Sequence, residues 1–255
     1  MDGQITGRID LRLPDVEGSY VGGVFTAKMT PRAELLNARG HGLASRGQWT
    51  EAAEAFTKAV ELQPTNYWFY HLLAPLLVQS GDVDGYRRFR QLVIARFGSS
   101  EDPIVAERMA KDCLILPSSG TDLDRIAQMA DSAVSLGKDH PALTWFQFAK
   151  GLAEYRQGRF SSAVEWMQKV LAKAGEDSNR DVQAYMVLAM AEHQLKHPDE
   201  ARATLAKGVE IAETKLPKID SGDVGGGWYD WIIAHSLMRE AKLLIESKPA
   251  ASDQP

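Results

Sequence analysis

Residues 33–66 read AELLNARGHGLASRGQWTEAAEAFTKAVELQPTN, and this stretch decides the fold. Its apolar and small positions recur at i, i+3, i+4 and i+7, the spacing of one helix face. Leu36, Gly40 and Leu43 form the first such face, and Arg46-Gly47 interrupts it. A second face carries Trp49, Ala52, Ala53, Phe56, Ala59 and Val60 before Pro64 ends the unit. Two antiparallel helices approach closely only where a side chain at the crossing is small, with larger residues filling the grooves beside it. Gly40, Ala52 and Ala59 supply the small positions, and Trp49 and Phe56 supply the large ones. Thr30 and Pro31 offer an N-cap and a first-turn proline for the first helix.

Working outward, the same plan recurs. Helices are expected from Tyr67 to Gly81 and from Asp82 to Gly98. Gly47 and Gly81 stand 34 residues apart at the same turn, where glycine permits the left-handed conformation that ends a helix. A degenerate third unit opens at Asp102-Pro103, runs to about Leu114, loops through 117–121 and continues from Asp122 to Leu136. The fourth begins at Pro141 and is clear again. Gly151, Gly158, Phe160 and Ala163 fall where Gly40, Gly47, Trp49 and Ala52 fell. A fifth spans residues 181–213, with Ala189 and Ala201 in the small places and Pro198 opening its second helix. A last helix, Trp228 to Glu246, follows the glycine-rich loop 221–227 and has no partner after it, which suits a C-terminal cap.

The first unit resembles a tetratricopeptide repeat. That pattern places small residues at repeat positions eight, twenty and twenty-seven, an aromatic at twenty-four and proline at thirty-two. Gly40, Ala52, Ala59, Phe56 and Pro64 match all five. Arg39 stands where an apolar residue is usual, and Leu43 replaces the usual aromatic. Gly151 and Ala163 carry the match in the fourth unit, and Leu188, Ala189, Ala201 and Leu205 in the fifth. The second and third units match mainly in period. The order LQPTN, SGDVDGYRRF, FGSSEDP is also similar to the repeat tails of large multidomain bacterial proteins, including serine/threonine kinases. No kinase motif is present, so kinase activity is not implied.

The resemblance implies an all-α solenoid of about five antiparallel helix pairs, closed by the capping helix, over residues 33–247. Residues 1–32 fall outside the repeat and alternate in places. They could form a short hairpin, a β remnant or an arm, and an extended segment lying on the first helices is favoured. Residues 248–255 read as a flexible tail.

Composition narrows the function. An apolar fraction of 44% is enough for a sizeable core and excludes disorder of the whole chain. A net charge of −5 argues against a broad nucleic-acid footprint. Cys113 is the single cysteine, so neither an internal disulfide nor a cysteine-built metal site can form. No apolar run reaches membrane-spanning length; Leu72 to Val78 is among the longest and contains Pro75. The first fifteen residues lack the apolar centre of a secretory signal. A cytoplasmic protein is expected, with no membrane contact.

Chemistry is hard to find. His193 and His197 have the four-residue spacing of two metal ligands on a helix, but no glutamate follows His193. The glycines before Trp228 lack the Lys-Ser/Thr ending of a phosphate loop. Asp82 and Asp84 suit a helix start. Cys113 lies in an apolar helix and reads as an inert thiol. Arg87, Arg88, Arg90 and Arg96 read mainly as a solvated face. No catalytic residue, metal or cofactor is therefore expected.

The resemblance places a partner in the concave groove lined by the first helix of each pair. Those helices supply Asn37, His41, Trp68, His71, Trp145, Phe148, Tyr155, Arg156, Met186, Met190 and His193. Aromatics and methionine are typical anchors at an interface centre. Many would instead be core between repeats. Some repeats capture a terminal carboxylate through lysine and asparagine; here Asn37 and His41 stand without the lysine. The expected ligand is an apolar or aromatic protein segment with an acidic residue meeting Arg156. The chain then reads as a non-catalytic protein- or peptide-binding scaffold of undetermined oligomeric state. The alternative is a regulatory or docking module of a larger enzyme complex, such as a bacterial serine/threonine kinase system, held through residues 1–32.

Overall fold

The structure is a computed structural model and describes residues 4–12, 19–28, 32–117 and 121–247. Among the described residues, eleven α-helices follow two strands, β1 (Gln4–Arg12) and β2 (Tyr20–Lys28). The helices are α1 (Arg32–Ala44), α2 (Trp49–Leu62), α3 (Tyr67–Gln79), α4 (Val83–Phe97), α5 (Pro103–Cys113) and α6 (Thr121–Leu136). They continue as α7 (Leu143–Arg156), α8 (Phe160–Leu171), α9 (Ser178–Gln194), α10 (Pro198–Lys215) and α11 (Trp228–Glu246). Successive helices pair as α1–α2, α3–α4, α5–α6, α7–α8 and α9–α10, and each pair stacks on the next through α2–α3, α4–α5, α6–α7 and α8–α9. Helices α3, α5, α7 and α9 also touch in series and form the inner row. The fold is an all-α solenoid of the tetratricopeptide type.

Local chemistry sets the boundaries. Asn66 Oδ1 accepts from the Trp68 amide at 3.1 Å, and Asp82 Oδ1 accepts from Gly85 at 2.8 Å. Asp102 Oδ1 accepts from Ile104 at 2.8 Å, and Asp177 Oδ1 accepts from Arg180 at 3.1 Å. Each occupies one of the amides left unpaired at a helix start. The Thr30-Pro31 start expected for α1 lies outside the described residues, as do the loop tip 118–120 and the tail 248–255. Gly47, Gly81 and Gly158 end helices at φ of 75–76°. The corresponding turn of the fifth pair uses Lys196 at φ 67°, so one helix stop is made without glycine. Gly40 serves close approach: a Cβ there would sit 2.6 Å from the Phe56 ring.

Strands β1 and β2 form an antiparallel ribbon in register from Gln4↔Lys28 to Arg12↔Tyr20. No helix packs substantially against it among the described elements. The strands meet each other's backbone hydrogen bonds and do not need α1 for that purpose. Among the described residues no helix is long and apolar enough to cross a membrane.

A candidate site on the concave face

Helix α11 lies along the inner row. It touches the last pair, as a cap does, and it also reaches back to α3. The loop before it is pinned to the first turn of the array, where the Val224 amide donates to the Ser45 carbonyl at 2.8 Å. Trp228 is fully buried; its indole Nε1 donates to His41 Nδ1 at 3.0 Å, and its ring stacks on Phe56 with centroids 5.9 Å apart. Trp231 stacks on Trp49 at 6.1 Å. Tyr229 sets its ring against His71 at 4.9 Å and Trp68 at 5.8 Å. At the other end, Arg156 grips Glu240 with both Nη atoms. The same guanidinium donates to the Leu114 and Ile115 carbonyls at 3.0 and 2.9 Å. Arg239 reaches Gln79 of α3 at 3.2 Å.

Beside the first turn of α11 a polar cavity of about 240 Å³ stays open. Its walls come from α3 (His71), α5 (Glu107, Arg108, Lys111), α7 (Trp145) and α11 (Tyr229, Asp230). Lys111 is 3% exposed and lies 3.2 Å from Glu107 and 3.3 Å from Asp230, with its ammonium 4.2 Å from the Trp145 ring centre. Burial opposes its charge, but the surrounding Asp230 and Glu107 outweigh burial, so its pKa rises and it stays protonated. His71 Nδ1 is 2.9 Å from Asp112 Oδ2. Burial drives both groups to neutral forms: His71 is lowered to about 3, helped by Lys111, and Asp112 rises well above the usual carboxylate range. The pair has the layout of a base and its orienting acid, yet burial removes the basicity that proton abstraction near neutral pH requires. Cys113, directly after Asp112, is buried with its thiol pKa pushed up by that burial.

Arg108 is different. Its guanidinium lies 4.7 Å from the Trp68 ring centre and donates to the Tyr67 hydroxyl at 3.2 Å. No carboxylate among the described residues comes within pairing distance of it. The cavity therefore holds one neutralised cation, Lys111, and one cation that only aromatic rings and a hydroxyl support.

The expected groove residues separate into groups. Trp68, His71 and Trp145 meet at or next to the cavity. Asn37 and His41 are half-buried at the far end, and His41 is engaged by Trp228. Phe148, Met186 and Met190 are wholly buried in the core between helices, which corrects their placement on a ligand-facing surface. Tyr155 is also buried, and the side chain of Arg156 is 3% exposed and bound to Glu240. The acidic residue expected to meet Arg156 belongs to the chain itself. His193 is half-buried near the end of α9, away from the cavity lining. Sequence reasoning missed Glu107, Arg108, Lys111, Asp112, Tyr229 and Asp230. One signal was present: Glu107 and Lys111 sit four apart, the spacing of an ion pair on one helix face, in the helix that also carries Cys113.

Family models described as tetratricopeptide repeat match residues 33–66 and residues 148–214. These segments are tetratricopeptide repeats. Solved structures extend the likeness beyond these segments. A thermophilic tetratricopeptide protein of Thermus thermophilus, TTC0263, has a TM-score of 0.52 at 17% identity, covering 72% of this chain and 93% of its own. PilW, described as a widely conserved type IV pilus biogenesis factor, gives 0.51 at 14% identity, covering 86% and 94%. The APC/C hetero-tetramer Cut9–Hcn1 gives 0.50 at 17%, covering 82% of this chain and 36% of that one. At these identities the likeness is one of fold. No curated protein matches the chain.

Proposed function

We propose that the repeat array is a non-catalytic scaffold that binds a protein or peptide through the part of its concave face left open by α11. The observation that carries this reading is Arg108, a cation stacked on Trp68 in an open cavity whose other cation is already neutralised. An acidic side chain on a partner segment would complete it, and Trp145 and Tyr229 would flank the segment's apolar part. Charge-assisted pairing of this kind gives specificity along with modest affinity. Proteins are the partner class; the net charge of −5 disfavours nucleic acid, and the chain is read as acting in the cytoplasm without a membrane. The docking-module alternative, a regulatory part of a larger enzyme complex such as a bacterial serine/threonine kinase system, would use the β1–β2 ribbon.

A photocrosslinker at Ile104, on the cavity wall, tests the leading reading in native cells. It captures a defined protein partner. Arg108→Gln lowers that capture about tenfold, which corresponds to about 1.4 kcal/mol. The thermal midpoint moves little, because Arg108 makes no ion pair that folding depends on. Equal capture by wild type and Arg108→Gln would overturn the cavity as the binding site.

A further inference from the structure

The cavity beside α11 carries a second unpaired charge. Asp177, at the start of α9, shares the cavity wall with Arg108. Asp177 Oδ1 accepts from the Arg180 amide at 3.1 Å, and among the described residues no cation comes within pairing distance of this carboxylate. The other charges on the wall are matched, because Lys111 pairs with both Glu107 and Asp230. Arg108 and Asp177 do not pair with each other. Among the described residues, the wall therefore offers one unmatched cation and one unmatched anion, set apart.

Solvent satisfies such charges while a cavity is open. A segment that fills the cavity removes that solvent, and a charge left buried and unpaired is costly. An acidic side chain alone would satisfy Arg108, strand Asp177 and bring a like charge beside that carboxylate. A basic side chain alone would do the reverse. A segment with both answers each charge, and the same wall disfavours partners that carry only one. Size sets a further limit. The cavity of about 240 Å³ lies below the ~300–1,000 Å³ of sites for drug-sized ligands, so it admits a pair of side chains and little more.

We propose that the segment entering the cavity carries one acidic and one basic side chain on the same face, the acid paired with Arg108 and the base with Asp177. This rests on the cavity being the partner site, and it adds what the partner must present. In an extended segment positions i and i+2 share a face, so the two charges stand two residues apart. Trp145 and Tyr229 cover the apolar stems of such side chains.

Isothermal titration calorimetry of the full chain with the peptide acetyl-Gly-Glu-Leu-Lys-Gly-amide tests this. The peptide binds about tenfold tighter than versions with glutamine in place of its glutamate or of its lysine. Asp177→Asn abolishes the advantage of the lysine and keeps that of the glutamate. Asparagine still caps α9, so the thermal midpoint is unchanged. Arg108→Gln does the converse. General damage to the cavity would weaken all three peptides alike and give no such crossed pattern. A lysine that adds nothing to wild-type binding, or a lysine advantage that survives Asp177→Asn, overturns the proposal, while a persisting glutamate advantage keeps Arg108 as an anchor. Absence of the glutamate advantage as well, or of all binding, overturns the cavity as the partner site together with it.

Discussion

Arg156→Ala lowers the stability of the array by about 2–3 kcal/mol, the cost of leaving a partly exposed carboxylate and two backbone carbonyls without their buried donor. The substitution strands the Glu240 carboxylate and two carbonyls, Leu114 and Ile115, which the guanidinium now satisfies. A residue that faced a groove and waited for a ligand would behave otherwise. Surface changes of that kind stay within about 0.5 kcal/mol, so a urea titration separates the two cases. Glu240→Gln costs less, because it keeps a neutral acceptor for Arg156 and leaves both carbonyls bound. The order of the two variants identifies Arg156 as a clamp between α5, α7 and α11.

Trp228→Ala removes the other anchor and costs about 3–5 kcal/mol, the usual range for a fully buried tryptophan. The indole fills space against Phe56 and holds His41, so its loss opens a cavity at the junction of α11 with the first helix pair. Repeat arrays lose stability locally, because each unit touches mainly its neighbours. Hydrogen exchange then reports the site. Amides of α11 and of the Ser45–Gln48 turn exchange faster, while the α7–α8 pair keeps its protection. If α11 capped only the final pair, the change would stop at α9 and α10.

The five pairs were legible because helix pairing is a local matter. Gly40 faces Phe56 within one unit, and the stops at Gly47, Gly81 and Gly158 follow from conformations that favour glycine. Lys196 shows the limit of that signal: the left-handed stop is kept where its usual residue is not. The position of α11 was not legible. Its tie to His41 spans 187 residues and its tie to Arg156 spans 84, and no periodicity of about 34 residues records such contacts. A trace did exist. Trp228, Trp231, Ile232, Ile233, Ala234 and Leu237 are all buried, a surface wider than the single apolar stripe an end cap requires. Part of the groove list was misplaced for a related reason. Phe148, Met186 and Met190 share the residue types of interface anchors, but the inner row packs them between helices. Arg108 went unnoticed because its isolation from carboxylates is a property of the folded surroundings.

A single crosslink tests whether α11 lies on the concave face. Gln79→Cys on α3 and Arg239→Cys on α11 replace side chains that now hydrogen-bond at 3.2 Å. With Cys113 buried, a short dimaleimide reads only the introduced pair in the folded protein. Rapid intramolecular crosslinking is expected in native buffer, with its loss in urea. An uncrosslinked native protein would contradict it and return α11 to the end of the stack, three pairs away from α3.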